Sequence, residues 1–121
     1  MKQAAEKQRN VGLYISFLHQ HLFTECQSVP QFILDSLILS NRASKASIIV
    51  TQPRRISAIS VAARVSEERL DDGSVGYTIR GESTRGRNTR LLFCTTGVVL
   101  RRLSTGDTLE DVSHIIIDEV R

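Results

Sequence analysis

The sequence predicts an α/β domain in which a mostly parallel sheet is flanked by helices. Short β-branched or aliphatic runs alternate with helical stretches of crossover length, which is the pattern of a parallel sheet. Polar clusters follow three of the predicted strands, and in such sheets ligands gather at the carboxyl ends of the strands. A chain of 121 residues is one domain or a part of one.

Two helical segments are predicted before the first strand. Residues 1–23 form an amphipathic stretch with an apolar face at Val11, Ile15, Leu18 and Leu22. The second helix is predicted to begin near Ser28, because Ser28 can cap it, Pro30 suits its first turn and Gln31 completes a capping box. Its apolar stripe is predicted at Phe32, Ile33, Leu37 and Ile38. Residues 41–45 are predicted to form a surface loop.

The remaining elements alternate along the chain. Apolar or alternating runs predict strands at residues 47–51, 75–80, 90–95 and 115–118. Helical spacing predicts helices at residues 55–70 and 97–103. The first of these is expected to turn one face inward and to end at the Asp-Asp-Gly sequence of residues 71–73; that face comprises Ile56, Ile59, Ala63, Ser66 and Leu70. Residues 81–88 are predicted as a polar loop.

Composition and charge narrow the function without deciding it. The apolar fraction of 40% and the charged fraction of 24% are ordinary for a globular protein. Residues 51–103 carry ten Arg and five acids, whereas residues 104–121 carry one Arg and five acids. A basic middle beside an acidic end suits phosphate on one surface and a metal on another, although charge alone favours a solvated charged surface.

Other compositional features exclude several classes of protein. Cys26 and Cys94 lack the spacing of a disulfide scaffold or a zinc site, so we expect small buried side chains. No signal-peptide core and no membrane-spanning run is present in the sequence. We therefore expect an intracellular protein, with nucleus and cytoplasm both left open.

The polar clusters carry the candidate chemistry. They are Thr51-Gln52-Pro53-Arg54-Arg55, Thr95-Thr96-Gly97 and Asp118-Glu119, each directly after a predicted strand. Arg54 and Arg55 offer charge-assisted donors, and the second cluster offers neutral donors at a helix start, a natural seat for an anion. Such groups grip a sugar-phosphate backbone without reading bases. Taken alone, Arg54 and Arg55 also fit a solvated helix start.

In this order, the clusters resemble the first motor domain of the DEAH-box RNA helicases. Residues 51–55 resemble motif Ia, residues 89–101 the segment around motif Ib, and residues 117–120 motif II. Residues 29–35 are similar to the helix that follows the phosphate loop, and residues 75–80 to a recurring segment. The resemblance implies a partial RecA-like P-loop NTPase domain at residues 29–121, truncated after the motif II strand. Residues 1–28 form an N-terminal helical segment without a clear match.

The resemblance also implies roles for particular residues. It implies an RNA track formed by Thr51, Pro53, Arg54, Arg55, Thr95, Thr96 and Gly97. It implies ATP and Mg²⁺ as cofactors, with Asp118 holding the metal ion and Glu119 orienting or deprotonating the attacking water. RNA, bound through its backbone, and helicase cofactor proteins are the implied partners.

The sequence departs from the family pattern in three places. A Gly-rich turn ending in Gly-Lys-Ser/Thr should precede the second helix, yet residues 23–28 contain neither Gly nor Lys, and Glu25 adds negative charge. Arg121 stands where the family has His, and Gly81 where a bulkier residue is expected. We therefore expect an inactive helicase fragment that does not bind ATP productively. The alternatives are a non-catalytic RNA-binding module and a regulatory short form.

Overall fold

A single five-stranded sheet forms the centre of this computed structural model, which describes residues 25–117. The strands are β1 (Ile48–Gln52), β2 (Val75–Ile79), β3 (Glu82–Ser83), β4 (Leu91–Thr95) and β5 (His114–Ile117). They lie in the order β3-β2-β4-β1-β5. The pairs β2–β4, β4–β1 and β1–β5 are parallel, and β3 runs antiparallel to β2. The predicted α/β fold with a mostly parallel sheet is confirmed.

Helices cover both faces of the sheet. They are α1 (Glu25–Leu39), α2 (Arg55–Glu68) and α3 (Thr96–Ser104), with a 3₁₀ turn at Ala43–Lys45. One apolar cluster joins α1 and α2 to one face of the sheet, and a second joins α3 and the segment before β5 to the other face. Alternate residues of each strand enter opposite clusters, as in β4, where Phe93 lies in the first and Leu92 in the second.

The prediction for α1 was wrong in its start and in part of its apolar face. The helix begins at Glu25, so Pro30 lies inside it rather than in its first turn. Pro30, Leu34 and Leu37 are buried, at spacings of four and three, whereas Phe32 is 71% exposed. Ile38, also predicted to face inward, is exposed. Burial of the Pro30 ring offsets the hydrogen bond that its missing N–H cannot make.

The predicted inner face of α2 was also wrong. The helix buries Ala58, Val61, Ala62 and Val65, whereas Ile56 and Leu70 are 78% and 89% exposed. Both sets have helical spacing, so periodicity alone does not choose between them. The buried set is made of small side chains, and these allow the helix to approach the sheet closely. The predicted end is near the observed one, because α2 ends at Glu68.

The predicted loop at residues 81–88 contains a strand that the sequence did not reveal. Strands β2 and β3 form a tight hairpin, in which Ile79 pairs with Glu82 and Thr78 pairs with Ser83. Gly81 closes the turn with a φ of +84°, a conformation that suits glycine and strains other residues. This backbone requirement accounts for glycine at a position where the resemblance implies a bulkier side chain.

Several predictions concern residues outside the described part of the chain. The predicted helix at residues 1–23 and the acidic pair Asp118 and Glu119 lie there, and the structure describes the backbone of Cys26 but not its side chain. Cys94 is buried as predicted, and burial raises the pKa of its thiol to about 12. Within residues 25–117, no helix is long and apolar enough to cross a membrane.

Candidate nucleic-acid interface

The parallel register places the first two polar clusters at the same edge of the sheet. β1 and β4 are neighbours, and their last residues, Gln52 and Thr95, are directly paired. The segments that follow these strands, beginning at Pro53 and Thr96, therefore leave the sheet side by side. β5 lies on the other side of β1, with Ile117 level with Thr51. The third cluster, Asp118 and Glu119, falls outside the described residues.

A groove of about 680 Å³ opens at this edge and is called here the carboxyl-edge groove. Pro53 and Arg55 line it from the segment after β1, and Thr95 and Gly97 line it from the junction of β4 and α3. Four of the seven residues predicted to contact nucleic acid therefore share one concavity, although they come from segments about forty residues apart in the sequence.

The other three predicted residues have different environments. Arg54 and Thr96 are exposed and directly adjoin groove residues in the chain. Thr51, by contrast, is 2% exposed, and its Oγ1 atom has no hydrogen-bond partner among the described residues. In this conformation the side chain of Thr51 is buried in the protein interior, out of reach of a nucleic-acid backbone.

Two helices begin at the same edge with their first turns uncapped by side chains. Arg54 is the N-cap of α2 and Thr95 is the N-cap of α3, and neither side chain makes a capping hydrogen bond. The first backbone N–H groups of a helix have no partner within the helix, and the helix dipole favours negative charge near them. Phosphate groups suit such a position.

The groove contains further residues that the sequence analysis did not select. The β2–β3 hairpin contributes Thr78 and Arg80, and α3 contributes Arg101, Arg102 and Thr105. The sequence could have indicated two of these residues, Arg80 and Arg101, as groove residues. Arg80 directly follows a strand, as Pro53 does, and Arg101 lies four positions after Gly97, which places both on one side of a helix.

The arginines of the groove differ in what they already contact. Arg55, Arg80 and Arg101 are exposed, and none forms an ion pair with another residue of the described range 25–117. Unpaired guanidinium groups on a concave surface attract anions, and Arg suits phosphate because its planar fork can bind two oxygens. As far as the described residues show, the groove is therefore a basic surface on which Arg55, Arg80 and Arg101 are not ion-paired.

Arg102 is held in place by two carboxylates. Its Nε donates to Asp107 at 2.8 Å, and its terminal nitrogen donates to Asp111 at 2.9 Å. Burial alone would lower the pKa of Arg102, but the hydrogen bonds to Asp107 and Asp111 raise it overall. The pKa of Asp107 is lowered, first by the Leu109 N–H that it accepts and then by Arg102. Arg102 thus fixes the end of α3 to the segment that leads to β5.

The described residues do not form a site that fits ATP and Mg²⁺. From Glu25 onward, the segment that the resemblance places at the phosphate loop is helical, and it supplies neither a glycine turn nor a lysine. Within residues 25–117, no group of three His, Cys, Asp or Glu side chains is arranged to hold a metal ion. The described start of this segment, from Glu25 onward, therefore offers a triphosphate no cradle of backbone N–H groups of the kind that a Gly-rich turn provides.

Comparison with models of protein families gives no match. Comparison with curated proteins confirms the resemblance seen in the sequence. Over 94 residues, the chain is 56% identical to "DExH-box ATP-dependent RNA helicase DExH3" of Arabidopsis thaliana. Over the same length it is 57% identical to "Putative ATP-dependent RNA helicase DHX57" of Homo sapiens. It is 50% identical over 100 residues to "ATP-dependent RNA helicase dhx29" of Xenopus laevis.

Each of these matches covers 76% of the chain but only 7–8% of the relative. The chain therefore spans less than a tenth of the length of the curated relatives that it matches.

Proposed function

Since this chain is related to one segment of the DExH/DEAH-box RNA helicases, we propose that it supplies the RNA-binding surface of a RecA-like motor domain. In this proposal the chain binds single-stranded RNA through the backbone and without sequence preference. It does not bind ATP productively and has no ATPase activity of its own. The alternative of a non-catalytic RNA-binding form is contained in this proposal.

The observation that carries the proposal is the carboxyl-edge groove. Arg55, Arg80 and Arg101 present cations to it from three different segments, and Thr95 adds a hydroxyl group. None of the described residues that line the groove is aromatic, so these residues offer no platform on which bases would stack. Its donors instead suit phosphate and sugar oxygens, which position an RNA strand but carry no sequence information.

The proposed lack of ATPase activity rests on residues inside the chain. The resemblance assigns Asp118 to Mg²⁺ and Glu119 to the attacking water, and both roles remain proposals. These two carboxylates act on a triphosphate only after a Gly-rich loop and its lysine have positioned the phosphates. Residues 23–28 contain neither Gly nor Lys.

RNA binding by the whole chain tests the proposal directly. We expect a labelled oligouridine of about 12 nucleotides to raise its fluorescence anisotropy on binding at about 50 mM salt, and to bind more weakly at about 200 mM. Replacing two groove cations together, Arg55→Gln and Arg101→Gln, should weaken binding by about tenfold. Arg64→Gln is the matched control, because Arg64 is an exposed arginine of α2 outside the groove.

Two results would contradict RNA binding at the groove. One is an affinity of the Arg55/Arg101 variant equal to that of the Arg64→Gln control. The other is a strong preference of the wild-type chain for one base sequence, since backbone contacts do not discriminate bases.

Titration calorimetry with Mg-ATP tests the other half of the proposal. We expect no heat that corresponds to a Kd for Mg-ATP in the micromolar range. A micromolar Kd would contradict the proposed lack of ATP binding, while leaving the RNA-binding half intact.

A further inference from the structure

A second basic concavity lies at the opposite edge of the sheet from the carboxyl-edge groove. It has a volume of about 380 Å³ and is called here the amino-edge pocket. Lys45 and Ser47 line it just before β1, and Arg85, Arg87 and Arg90 line it just before β4. We propose that this pocket binds phosphodiester groups of the same RNA strand that occupies the carboxyl-edge groove. The inference rests on the proposed function and adds a second anchoring point to it.

The charge of the pocket favours an anion with several oxygens. Lys45, Arg85, Arg87 and Arg90 supply four cations, and among the described residues that line the pocket Asp111 is the single carboxylate. Three of the four cations are guanidinium groups, which bind phosphate oxygens in pairs and remain charged at any physiological pH.

A closed turn presents Arg87 to solvent. The backbone N–H of Thr89 donates to the Gly86 carbonyl at 3.3 Å, and the N–H of Gly86 donates to the Thr89 hydroxyl oxygen at 2.8 Å. These two bonds fix both ends of a four-residue turn in which Arg87 is the second residue. Arg87 itself is exposed and forms no ion pair within the described part of the chain. Its cation is therefore held near the pocket and available to a ligand.

Arg90 is anchored between two strands. Its backbone N–H donates to the Ser74 carbonyl at 2.8 Å, and its carbonyl accepts from the Ile48 N–H at 2.8 Å. Its guanidinium donates to the Thr89 carbonyl at 3.4 Å. Because these bonds hold Arg90 in place, less conformational freedom is lost when an anion binds.

Asp111 connects the two concavities. It accepts from Arg85 at 3.5 Å in the amino-edge pocket, and from Arg102, which lines the carboxyl-edge groove, at 2.9 Å. The five residues of β4 separate the two edges of the sheet by about 16 Å, at about 3.3 Å per residue. The straight line between the two edges runs through the buried sheet, so an RNA strand that joins the two sites passes around the covering elements and needs more than the about five nucleotides that the distance alone requires. At about 3.4 Å per nucleotide of a helical strand, an oligomer of about 15 nucleotides is about 50 Å long and can reach both sites.

The lining favours RNA over a protein partner. Of the lining residues within the described range 25–117, Ala46 has the only apolar side chain and none is aromatic. Protein interfaces are centred on apolar and aromatic side chains, whereas nucleic-acid interfaces are polar and positively charged. An acidic peptide is thus the disfavoured occupant, and the experiment below separates it from RNA.

The test compares two lengths of oligouridine on the full chain by fluorescence anisotropy. The wild-type chain should bind an oligomer of about 15 nucleotides much more tightly than one of about four, which cannot span both sites. Arg87→Gln should weaken the binding of the longer oligomer by about fivefold and lower its log–log salt slope by about 0.7, since one phosphate contact is lost. Arg64→Gln is again the matched control. The double variant Lys45→Gln/Arg87→Gln should abolish the advantage of the longer oligomer.

The possible failures are distinguishable. If the Arg87 and Lys45 variants match Arg64→Gln while the Arg55/Arg101 variant is weakened, the amino-edge site is refuted and the proposed function stands. If no RNA of either length binds, both are refuted. If polyglutamate of equal charge displaces the longer RNA as effectively as unlabelled RNA does, the pocket is a general polyanion surface and the assignment to RNA is wrong. Thermal unfolding of each variant confirms that only folded chains are compared.

Discussion

Arg101 and Arg102 are adjacent in sequence and both line the carboxyl-edge groove, but their surroundings separate their roles. The side chain of Arg102 is 23% exposed and bonded to Asp107 and Asp111. Arg101 is exposed and forms no ion pair with the residues described, 25–117. Residue type alone therefore does not show which arginine maintains the fold and which is available to a ligand.

We therefore expect replacement by Gln to affect mainly stability at Arg102 and mainly RNA binding at Arg101. Arg102→Gln should lower the free energy of unfolding by about 1–2 kcal/mol, because two charge-assisted hydrogen bonds are lost and Asp107 loses the cation that it contacts. Arg101→Gln should change it by less than about 0.5 kcal/mol but should weaken RNA binding. Urea unfolding and fluorescence anisotropy measure the two effects separately. Equal stabilities of the two variants would mean that the Arg102 network does not stabilise the fold.

We expect the free energy of unfolding to depend on pH through the protonation of His114. Burial lowers the pKa of His114 below its ordinary value of 6.5, and the charge of Arg42 lowers it further. The unfolded chain then binds a proton more readily than the folded chain. The contribution of neutral His114 to the free energy of unfolding is therefore fully present above pH 6.5. It is lost as the pH falls from 6.5 towards the pKa that His114 has in the folded chain.

Thermal unfolding of the wild-type chain and of His114→Gln, across this pH range, isolates the effect from that of other histidines. The melting temperature of the wild type should fall more steeply with decreasing pH than that of the variant. Parallel curves for the two chains would exclude His114 as the cause.

At the scale of secondary-structure elements, two glycines serve different purposes. Gly81 closes the β2–β3 hairpin at a φ of +84°, with no atom within 4 Å of the position that a Cβ would occupy. Gly97 lies in the first turn of α3 at an ordinary φ, and it also has open space around it. Because neither position is crowded, the backbone conformation alone decides the effect of an added methyl group.

We expect Gly81→Ala to destabilise the chain by about 1 kcal/mol or more, since alanine is strained at a positive φ. Gly97→Ala should stabilise it by about 0.5–1 kcal/mol, since alanine loses less backbone freedom in a helix. Both values come from chemical denaturation of otherwise identical chains. A destabilising Gly97→Ala would show that α3 does not continue through this residue.

At the scale of the whole molecule, the parallel sheet separates two basic concavities by the length of a strand. The net charge of the chain is only +3. The cations are nevertheless concentrated at the two edges, because the segments that carry them enter and leave neighbouring strands. Local charge, rather than net charge, therefore governs which ligand approaches each edge.

This distribution predicts the salt dependence of RNA binding. Contacts from Arg55, Arg80 and Arg101 should give a slope of about −2 for the logarithm of affinity against the logarithm of salt, at about 0.7 per contact on a single strand. Occupation of the amino-edge pocket by a longer RNA should make the slope steeper. Anisotropy titrations between about 50 mM and about 200 mM salt provide the measurement. An affinity independent of salt would rule out phosphate contacts as the main source of binding.

Much of the architecture follows from local sequence patterns. The apolar runs at residues 47–51 and 115–118 predicted buried strands, and the structure has strands at Ile48–Gln52 and His114–Ile117. The segments after the strands predicted one polar edge, because parallel strands end on the same side of a sheet. The order of motifs also predicted the similarity to RNA helicases. The predicted roles of Asp118 and Glu119 lie beyond the residues described and remain predictions.

Other features depended on which surfaces meet in three dimensions. Ile56 and Ala58 both lie on plausible inner faces of α2, and only packing against the sheet selects Ala58. Arg80 and Arg101 join Arg55 in one groove because β2, β4 and β1 lie side by side in an order that differs from their order in the chain. The sequence by itself thus determined the strands, their polar ends and the family resemblance, since these depend on neighbouring residues. Only the tertiary structure decided the buried helix faces and the two basic concavities, because both depend on contacts between segments distant in the chain.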